Sequence, residues 1–273
     1  MHSDTMIKDE KILVIDDEAV ILQAVSRIAS AEGMIVDSEN NASSALKKLS
    51  QKEYSLILCD IMMPEMDGFK FLDEIQKRKL STPVIMITGY STVENAVKSL
   101  YKGAIDFVPK PFTFEELKSS ISRGISYFRV QKGVEDARSR NDKGSIIYVP
   151  GPPKYKRLGN LSWMNLESVG TAVIGATDLF LETIENLVNI ELMEVDELII
   201  QGDSCANLVT DDELIHRLLS PVGGRIIERN QKILNDIKLL EKDPYFEGWI
   251  YKVIPSNIEY DLKYLVPFAS DRL

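Results

Sequence analysis

Residues 56–68 read LILCDIMMPEMDG, and this stretch decides the fold of the first half of the chain. Its first residues belong to the segment SLILC (55–59), a short apolar run of the kind seen in parallel strands buried on both faces. Asp60 follows at the end of that run. The segment GFKFLDEIQKRK (68–79) then has apolar residues at helical spacing. The stretch therefore predicts a buried strand, a polar turn that begins with an aspartate, and a helix.

The same alternation recurs on both sides of this unit. Five apolar runs are each followed by an amphipathic segment between residues 11 and 128. Strands are predicted at 11–15, 34–38, 55–59, 83–87 and 104–108, and helices at 18–33, 41–52, 68–79, 91–103 and 112–128. Asn40 or Asn41 would cap the second helix and Ser91 the fourth. Five consecutive βα units predict an α/β fold, a doubly wound five-stranded parallel sheet with helices on both faces.

Composition excludes several classes of protein. The 273 residues contain 44% apolar and 27% charged residues, which is usual for a globular chain of about two domains. No apolar stretch approaches the roughly 20 residues that span a bilayer, and the N-terminus lacks the pattern of a signal peptide, so we expect a cytoplasmic protein without membrane contact. The two cysteines, Cys59 and Cys205, have no Cys or His cluster around them, which disfavours a disulfide framework or a zinc site.

Four of the predicted strands end on groups that suit phosphoryl chemistry. Asp16 and Asp17 end the first strand, Asp60 the third and Thr88 the fourth, and Lys110 lies just past the fifth. The functional crevice of a doubly wound sheet lies at the carboxyl ends of its strands. Converging carboxylates make a hard oxygen site for Mg²⁺, and a hydroxyl with an ammonium suits a phosphoryl group.

This arrangement resembles the receiver domain of two-component response regulators over residues 9–130. The resemblance implies that a cognate sensor histidine kinase, or a small phosphodonor, phosphorylates Asp60. Other positions would serve the metal or the phosphoryl group: Asp16, Asp17, Asp60 and the Met62 carbonyl for Mg²⁺, and Thr88, Gly89, Phe107, Lys110 and Pro111 for the phosphoryl group and the switch. Thr88 and Phe107 would form the hydroxyl–aromatic pair that moves on phosphorylation, and the Lys110–Pro111 bond is expected to be cis.

Each of these residues also has a plain structural interpretation. Asp16 and Asp17 could be helix-capping acids, Asp60 a turn residue, Thr88 a core hydroxyl and Lys110 an exposed charge. Their joint occurrence at the right strand ends favours the phosphoryl site.

After a polar segment and the Pro/Gly-rich VPGPPKYK, predicted as an extended helix end and a linker over 131–157, the pattern changes. Short strand-like runs separated by Gly, Pro and Asn/Asp turns predict a mainly β domain with one or two short helices over 158–268. A hairpin is expected with its turn near 167–170. Residues 145–273 carry a net charge of −8, which disfavours binding to DNA.

The second half resembles the H protein of the glycine cleavage system, most specifically at Asp243–Tyr245 and Gly248–Ile250. The implied fold is a flattened β-barrel or sandwich of the lipoyl/biotinyl type. In that family a hairpin lysine carries lipoate. Here the corresponding position falls on Glu213, counting back from Ser220–Pro221, or on Asp212, counting forward from Gly202–Asp203, and no lysine lies between residues 157 and 231. We therefore expect no lipoate.

Together these features predict a response regulator of a two-component phosphorelay whose H-like output domain acts by contact with an unknown downstream protein or as a homodimer. No catalytic residues are expected, because the second half offers no nucleophile–base pair or metal cluster. Two alternatives stay open: a mimic that docks on glycine-cleavage or lipoyl-handling enzymes, and a transcription regulator.

Overall fold

The computed structural model describes residues 9–90, 92–140 and 148–268. Its N-terminal domain alternates five strands with five helices. The strands are β1 (Lys11–Ile15), β2 (Ile35–Glu39), β3 (Leu56–Asp60), β4 (Val84–Thr88) and β5 (Asp106–Pro109). The helices are α1 (Ala19–Ala31), α2 (Ala42–Leu49), α3 (Gly68–Lys77), α4 (Val93–Tyr101) and α5 (Phe114–Ser139).

The five strands form one parallel sheet in the order β2-β1-β3-β4-β5, which confirms the predicted doubly wound α/β architecture. β3 and β4 are buried at every residue and supply apolar side chains to a separate core on each face of the sheet. The strand order places the ends of β1 and β3 next to each other and leaves β5 at an edge.

Side-chain caps start four of the five helices. Asn41, Asp67, Thr92 and Thr113 each accept a hydrogen bond from a main-chain N–H in the first turn, which satisfies donors that a helix otherwise leaves open. Asn41 is thus the cap of the two candidates for α2. The predicted cap of α4, Ser91, lies outside the described residues, and the observed cap is Thr92. α5 continues beyond residue 128 to Ser139, within the interval 131–157 that was predicted as an extended helix end and a linker.

The C-terminal domain is built from ten antiparallel strands in two sheets. The strands are β6 (Lys156–Leu158), β7 (Ser162–Leu166), β8 (Ala172–Ala176), β9 (Leu187–Leu192), β10 (Leu198–Ile199), β11 (Ser204–Thr210), β12 (Ile215–Leu219), β13 (Gly224–Arg229), β14 (Tyr251–Pro255) and β15 (Val266–Pro267). The larger sheet has the order β10-β13-β14-β8-β7-β6-β15 and the smaller one β12-β11-β9. Both line one apolar core. The mainly β fold and the β7–β8 hairpin are confirmed.

The prediction of one or two short helices in this domain is wrong. The structure has α6 (Asp178–Glu182), α7 (Gln231–Asn235), α8 (Lys238–Lys242) and α9 (Ile258–Asp261). Each spans only four or five residues, too few for the helical period to show in the sequence. Within the described ranges, no helix is long and apolar enough to span a membrane.

The two domains share a packed boundary on the β5 side of the parallel sheet. Val97 and Leu100 of α4 are buried in the core of the C-terminal domain. There they face two glycines, since a Cβ at Gly159 would lie 3.1 Å from Leu100 and one at Gly202 would overlap Val97. α5 contributes Ser119, whose hydroxyl donates to the main-chain carbonyl of Ile215 in β12. The C-terminal domain therefore covers the α4–β5–α5 face of the N-terminal domain.

Candidate functional site

Two aspartates and one lysine meet at the carboxyl ends of the parallel strands. The Nζ atom of Lys110 lies 2.7 Å from Oδ2 of Asp16 and 3.0 Å from Oδ1 of Asp60. Asp16 follows β1 directly, Asp60 ends the neighbouring β3, and Lys110 follows β5. Both carboxylates are buried, at 2% and 3% exposure. The crevice predicted from strand ends is therefore formed, with two carboxylates beside one ammonium.

Burial dominates the electrostatics of this group. Removal from water raises the pKa of Asp16 and of Asp60 above the usual aspartate range, and the hydrogen bonds from Lys110 offset only part of that effect. For Lys110, burial alone would lower the pKa, but the hydrogen bonds to the two carboxylates outweigh it and the pKa lies above its ordinary value. The ammonium is thus held charged, and the carboxylates still outnumber it.

The predicted Mg²⁺ ligands are only partly brought together. Asp16 and Asp60 face the same ammonium, whereas Asp17, the next residue after Asp16, is exposed. The main-chain N–H of Met62 donates to Oδ2 of Asp60 and holds that carboxylate in place. Across the described ranges, no three His, Cys, Asp or Glu side chains are arranged as a ready metal cluster. The donor set still fits Mg²⁺, which is commonly held by one or two carboxylates and completes its shell with water and carbonyl oxygens.

The far side of the crevice is formed by the end of β4. Thr88 is fully buried, and its Oγ1 accepts a hydrogen bond of 3.2 Å from the N–H of Tyr90. A Cβ placed on Gly89 would meet nothing within 4 Å, so open space adjoins this position. The N–H of Lys110 donates to the Thr88 carbonyl at 2.8 Å, and the Lys110–Pro111 peptide bond is cis. The hydroxyl and the ammonium are thus held on adjacent strands.

Phe107, the predicted switch aromatic, lies partly buried on β5 and borders a cavity of about 480 Å³ between the domains. α4, β5 and α5 form one wall of this cavity, and β11 and β12 form the opposite wall. The ring therefore lies on the strand next to β4 and faces the C-terminal domain across this cavity.

Two further residues of the site were missed by sequence reasoning. Glu18 places Oε1 3.3 Å from Nζ of Lys110 and adds a third carboxylate at the rim. Gly68 starts α3 so close to β3 that a Cβ would overlap the Asp60 carbonyl oxygen. The glycine in MDG after Asp60 was a signal for this close approach. Glu18 carried none beyond its acidic neighbours.

The position expected for a lipoyl lysine lies at the β11–β12 turn. Asp212 accepts a hydrogen bond from the Thr210 hydroxyl at 2.5 Å, and Glu213 has a left-handed backbone with φ of 66°. The hairpin packs on α5 of the N-terminal domain, where Arg217 forms an ion pair with Glu116. The turn that would carry an arm in the H protein is therefore used here as part of a domain boundary.

Comparison with family models divides the chain in the same way. Residues 12–122 match the response regulator receiver domain and residues 154–269 match the glycine cleavage H-protein.

Among curated proteins, the chain is 32% identical over 154 residues to the DNA-binding transcriptional regulator NtrC of Proteus hauseri, covering 55% of this chain and 33% of that protein. It is 40% identical over 124 residues to the transcriptional regulatory protein ZraR of Klebsiella oxytoca, covering 44% and 27%. The chain thus spans a third or less of the length of these relatives.

Among solved structures, the receiver domain of the Francisella response regulator 1452 is 29% identical, with a TM-score of 0.41, covering 43% of this chain and 97% of that one. The fold, the strand-end site and the two family models agree on the division of the molecule. The chain joins a response regulator receiver domain to a glycine cleavage H-protein domain.

Proposed function

We propose that the protein is a response regulator in which Asp60 accepts a phosphoryl group and thereby controls the H-protein domain. The observation that carries this proposal is the crevice itself, where Lys110 lies 3.0 Å from Asp60 and 2.7 Å from Asp16 at adjacent strand ends. A buried carboxylate beside a fixed ammonium suits attack on a phosphoryl group, because the lysine neutralises charge that develops on the transferred oxygens.

In the transfer step, one Asp60 carboxylate oxygen forms a bond to phosphorus while the bond from phosphorus to the donor breaks. The donor is the phosphohistidine of a cognate sensor kinase, or a small phosphodonor, and its nitrogen or oxygen leaves with the bonding electrons. Thr88 and Lys110 contact the oxygens of the new phosphoryl group, and Gly89 leaves room for it. Mg²⁺, held by Asp16, Asp17, Asp60 and the Met62 carbonyl, would supply further neutralisation of the phosphoryl oxygens when bound.

The output is proposed to be contact between proteins rather than catalysis or acyl carriage. No lysine lies between residues 157 and 231, and the hairpin position holds Asp212 and Glu213. Lipoate attaches through a lysine amine, so this domain would carry none. Its hairpin faces α5 of the receiver domain. The phosphoryl state would thus determine whether that face is covered or is free for a downstream protein or a second copy.

The role of Asp60 as acceptor is tested by incubating the full chain with acetyl phosphate and Mg²⁺ and measuring the mass of the intact protein by mass spectrometry. We expect one added phosphoryl group in the native chain and none in Asp60→Asn. Asp73→Asn serves as the matched control, because Asp73 lies on α3 and pairs with Lys102 away from the crevice. Unchanged labelling of Asp60→Asn would show that Asp60 is not the phosphoryl acceptor. Labelling that continues after Mg²⁺ is chelated would show that the transfer does not need the metal ion.

A second candidate function is favoured by the match of residues 154–269 to the H protein. In that case the domain would dock, without cargo, on glycine-cleavage or lipoyl-handling enzymes. Direct binding of purified enzymes of that system, measured with and without a phosphoryl mimic, decides this. Transcription control is less favoured: NtrC of Proteus hauseri is named a DNA-binding regulator, but residues 145–273 here carry a net charge of −8. Salt-dependent binding to DNA in a gel-shift assay would support transcription control instead.

A further inference from the structure

We propose that Arg123 of α5 is the residue through which the state of the Asp60 site reaches the H-protein domain. This inference rests on the proposed function and adds the route of the signal, from β5 through Arg123 to Phe180 of α6. Phosphorylation of Asp60 would shift β5, and Arg123 would then weaken the contact between the two domains.

The first contact on this route is a buried ion pair inside the receiver domain. The guanidinium of Arg123 bonds the carboxylate of Asp106, and the two residues are 5% and 6% exposed. Asp106 precedes Phe107 on β5, so a shift of the β5 main chain would move both the aromatic ring and this carboxylate. Since separating one partner from a buried ion pair is strongly destabilising, Arg123 is expected to follow Asp106.

The second contact crosses the domain boundary. The Cζ atom of Arg123 lies 5.1 Å from the centre of the Phe180 ring, an arrangement that favours the cation electrostatically. Phe180 is 1% exposed and belongs to the apolar core of the H-protein domain. A shift of the guanidinium therefore acts on a ring that is packed on its other sides.

One helical turn before Arg123, Ser119 fastens the same helix to β12. Its hydroxyl donates to the Ile215 carbonyl at 2.7 Å and lies 3.0 Å from Nδ1 of His216. The Ser119 hydroxyl has one proton, which it donates to the carbonyl. We therefore assign the imidazole proton of His216 to Nδ1, which donates to the Ser119 oxygen. A movement of α5 along its axis would therefore change hydrogen bonds to β12 directly.

The cavity between the domains gives this route room to work. It is bordered by Asp106, Phe107 and Arg123 on the receiver side and by His216 on the other. A close-packed boundary would resist a small movement of β5, whereas open volume allows the ring and the ion pair to take a second arrangement. The boundary therefore has the two features a switch needs, fixed contacts at Ser119 and free volume at Phe107.

The test is hydrogen exchange of the full chain with and without beryllofluoride and Mg²⁺, which mimic the phosphoryl group. Amides 61–63 and 88–90 report binding at Asp60, and amides 215–219 report docking of β12. In the native chain we expect beryllofluoride to speed exchange at 215–219 by about 10-fold, within the 5–150-fold span usual for coupled sites. In Arg123→Lys, the charge next to Asp106 is kept but the planar group over Phe180 is lost, and the change should fall below about 2-fold.

Three further variants control for a non-specific effect of the Arg123→Lys substitution. Phe180→Leu perturbs the same contact from the other domain and should also lose the response. The double variant Arg123→Lys/Phe180→Leu should then respond no differently from either single variant. Lys118→Arg is the matched control, because it conserves charge on the same helix in an ion pair with Glu32 inside the receiver domain, at 3.0 Å. It should respond as the native chain does.

The outcomes separate this inference from the proposed function. A response at the Asp60 loops together with an unaltered response at β12 in Arg123→Lys and Phe180→Leu overturns the role of Arg123 and leaves the phosphoryl switch intact. A response at the loops without one at β12 in the native chain overturns the route as a whole. Absence of any response at the loops contradicts the Asp60 assignment, and the route falls with it.

Discussion

Gly202 offers a direct test of how the domains dock. It precedes β11 with φ of +87°, and a Cβ at this position would overlap Cγ2 of Val97 in α4. The same Cβ would lie 3.3 Å from both Cγ1 and the carbonyl oxygen of Val93. Alanine here must therefore adopt a left-handed backbone and also push against the receiver domain. We expect Gly202→Ala to weaken docking.

The destabilisation by Gly202→Ala has two parts, the strain of the left-handed backbone and the overlap of the added methyl group with α4. A left-handed non-glycine residue costs roughly 1–2 kcal/mol, and forcing an extra methyl group into packed volume costs about 1–3 kcal/mol more. Gly170, in the β7–β8 turn, has the same φ of +87°, and a Cβ added there would have no neighbour within 4 Å. Gly170→Ala should thus show only the backbone part, and Gly202→Ala about 2–5 kcal/mol in total.

Urea unfolding of the full chain measures the total loss of stability in each variant. Small-angle scattering shows whether the overlap in Gly202→Ala also separates the two domains. Val97→Ala removes the overlapping methyl groups and should be less harmful in the Gly202→Ala background than alone. Equal losses for Gly202→Ala and Gly170→Ala, with unchanged scattering, would mean that α4 does not pack on the H-protein domain as described.

Three other measurements test separate parts of the molecule. Burial, with a smaller effect from Arg123, lowers the pKa of His216 to about 4. The stability that the neutral imidazole contributes is therefore present above pH 6.5 and is lost as the pH falls towards 4. Between pH 7 and pH 5, the free energy of unfolding of the native chain should fall by about 2 kcal/mol more than that of His216→Asn in urea titrations. Tyr251→Phe removes a buried hydroxyl that bridges two main-chain groups at 2.7 and 2.8 Å and should cost about 1–3 kcal/mol in the same assay. Met62, which is 51% exposed at the crevice, should slow the attacking water, so that the phosphoryl group is long-lived in the native chain and shorter-lived in Met62→Asn, as followed by intact mass over time.

Each of these has a result that contradicts it. Parallel pH profiles for the native chain and His216→Asn would show that the imidazole is not buried neutral. A Tyr251→Phe midpoint equal to that of the native chain would mean that water reaches the two main-chain groups. Rapid loss of phosphate from the native chain would contradict the role given to Met62.

Much of the receiver domain could be predicted from sequence because its signals are local. β3 and β4 are continuous apolar runs, and the residues at their ends, Asp60 and Thr88, identify the crevice once parallel order is assumed. Helix caps were less certain, since Asn40 and Asn41 look equivalent until the backbone shows which one accepts from Ser44. Topology also predicted that Lys110 shares a crevice with Asp16 and Asp60, but their ion pairs are seen only in the structure.

The boundary between the domains could not be predicted in the same way. Val97 and Leu100 occupy positions on α4 that would equally suit the core of their own domain, and periodicity does not tell which surface covers an apolar face. β6 was absorbed into the predicted linker because it has only three residues. The Asp106–Arg123 pair joins groups that look like ordinary surface charges in sequence. Partners distant in the chain are set by packing, which no local pattern encodes.

The contact between Ser119 and His216 joins residues 97 positions apart. At about 5–20 residues added per second during synthesis, β12 follows α5 from the ribosome by roughly 5–20 seconds. Throughout that interval a folded receiver domain would present Val97 and Leu100 to water. The nascent chain thus has a period in which its apolar α4 surface is open to chaperones or to a neighbouring nascent chain, before its own second domain arrives to cover it.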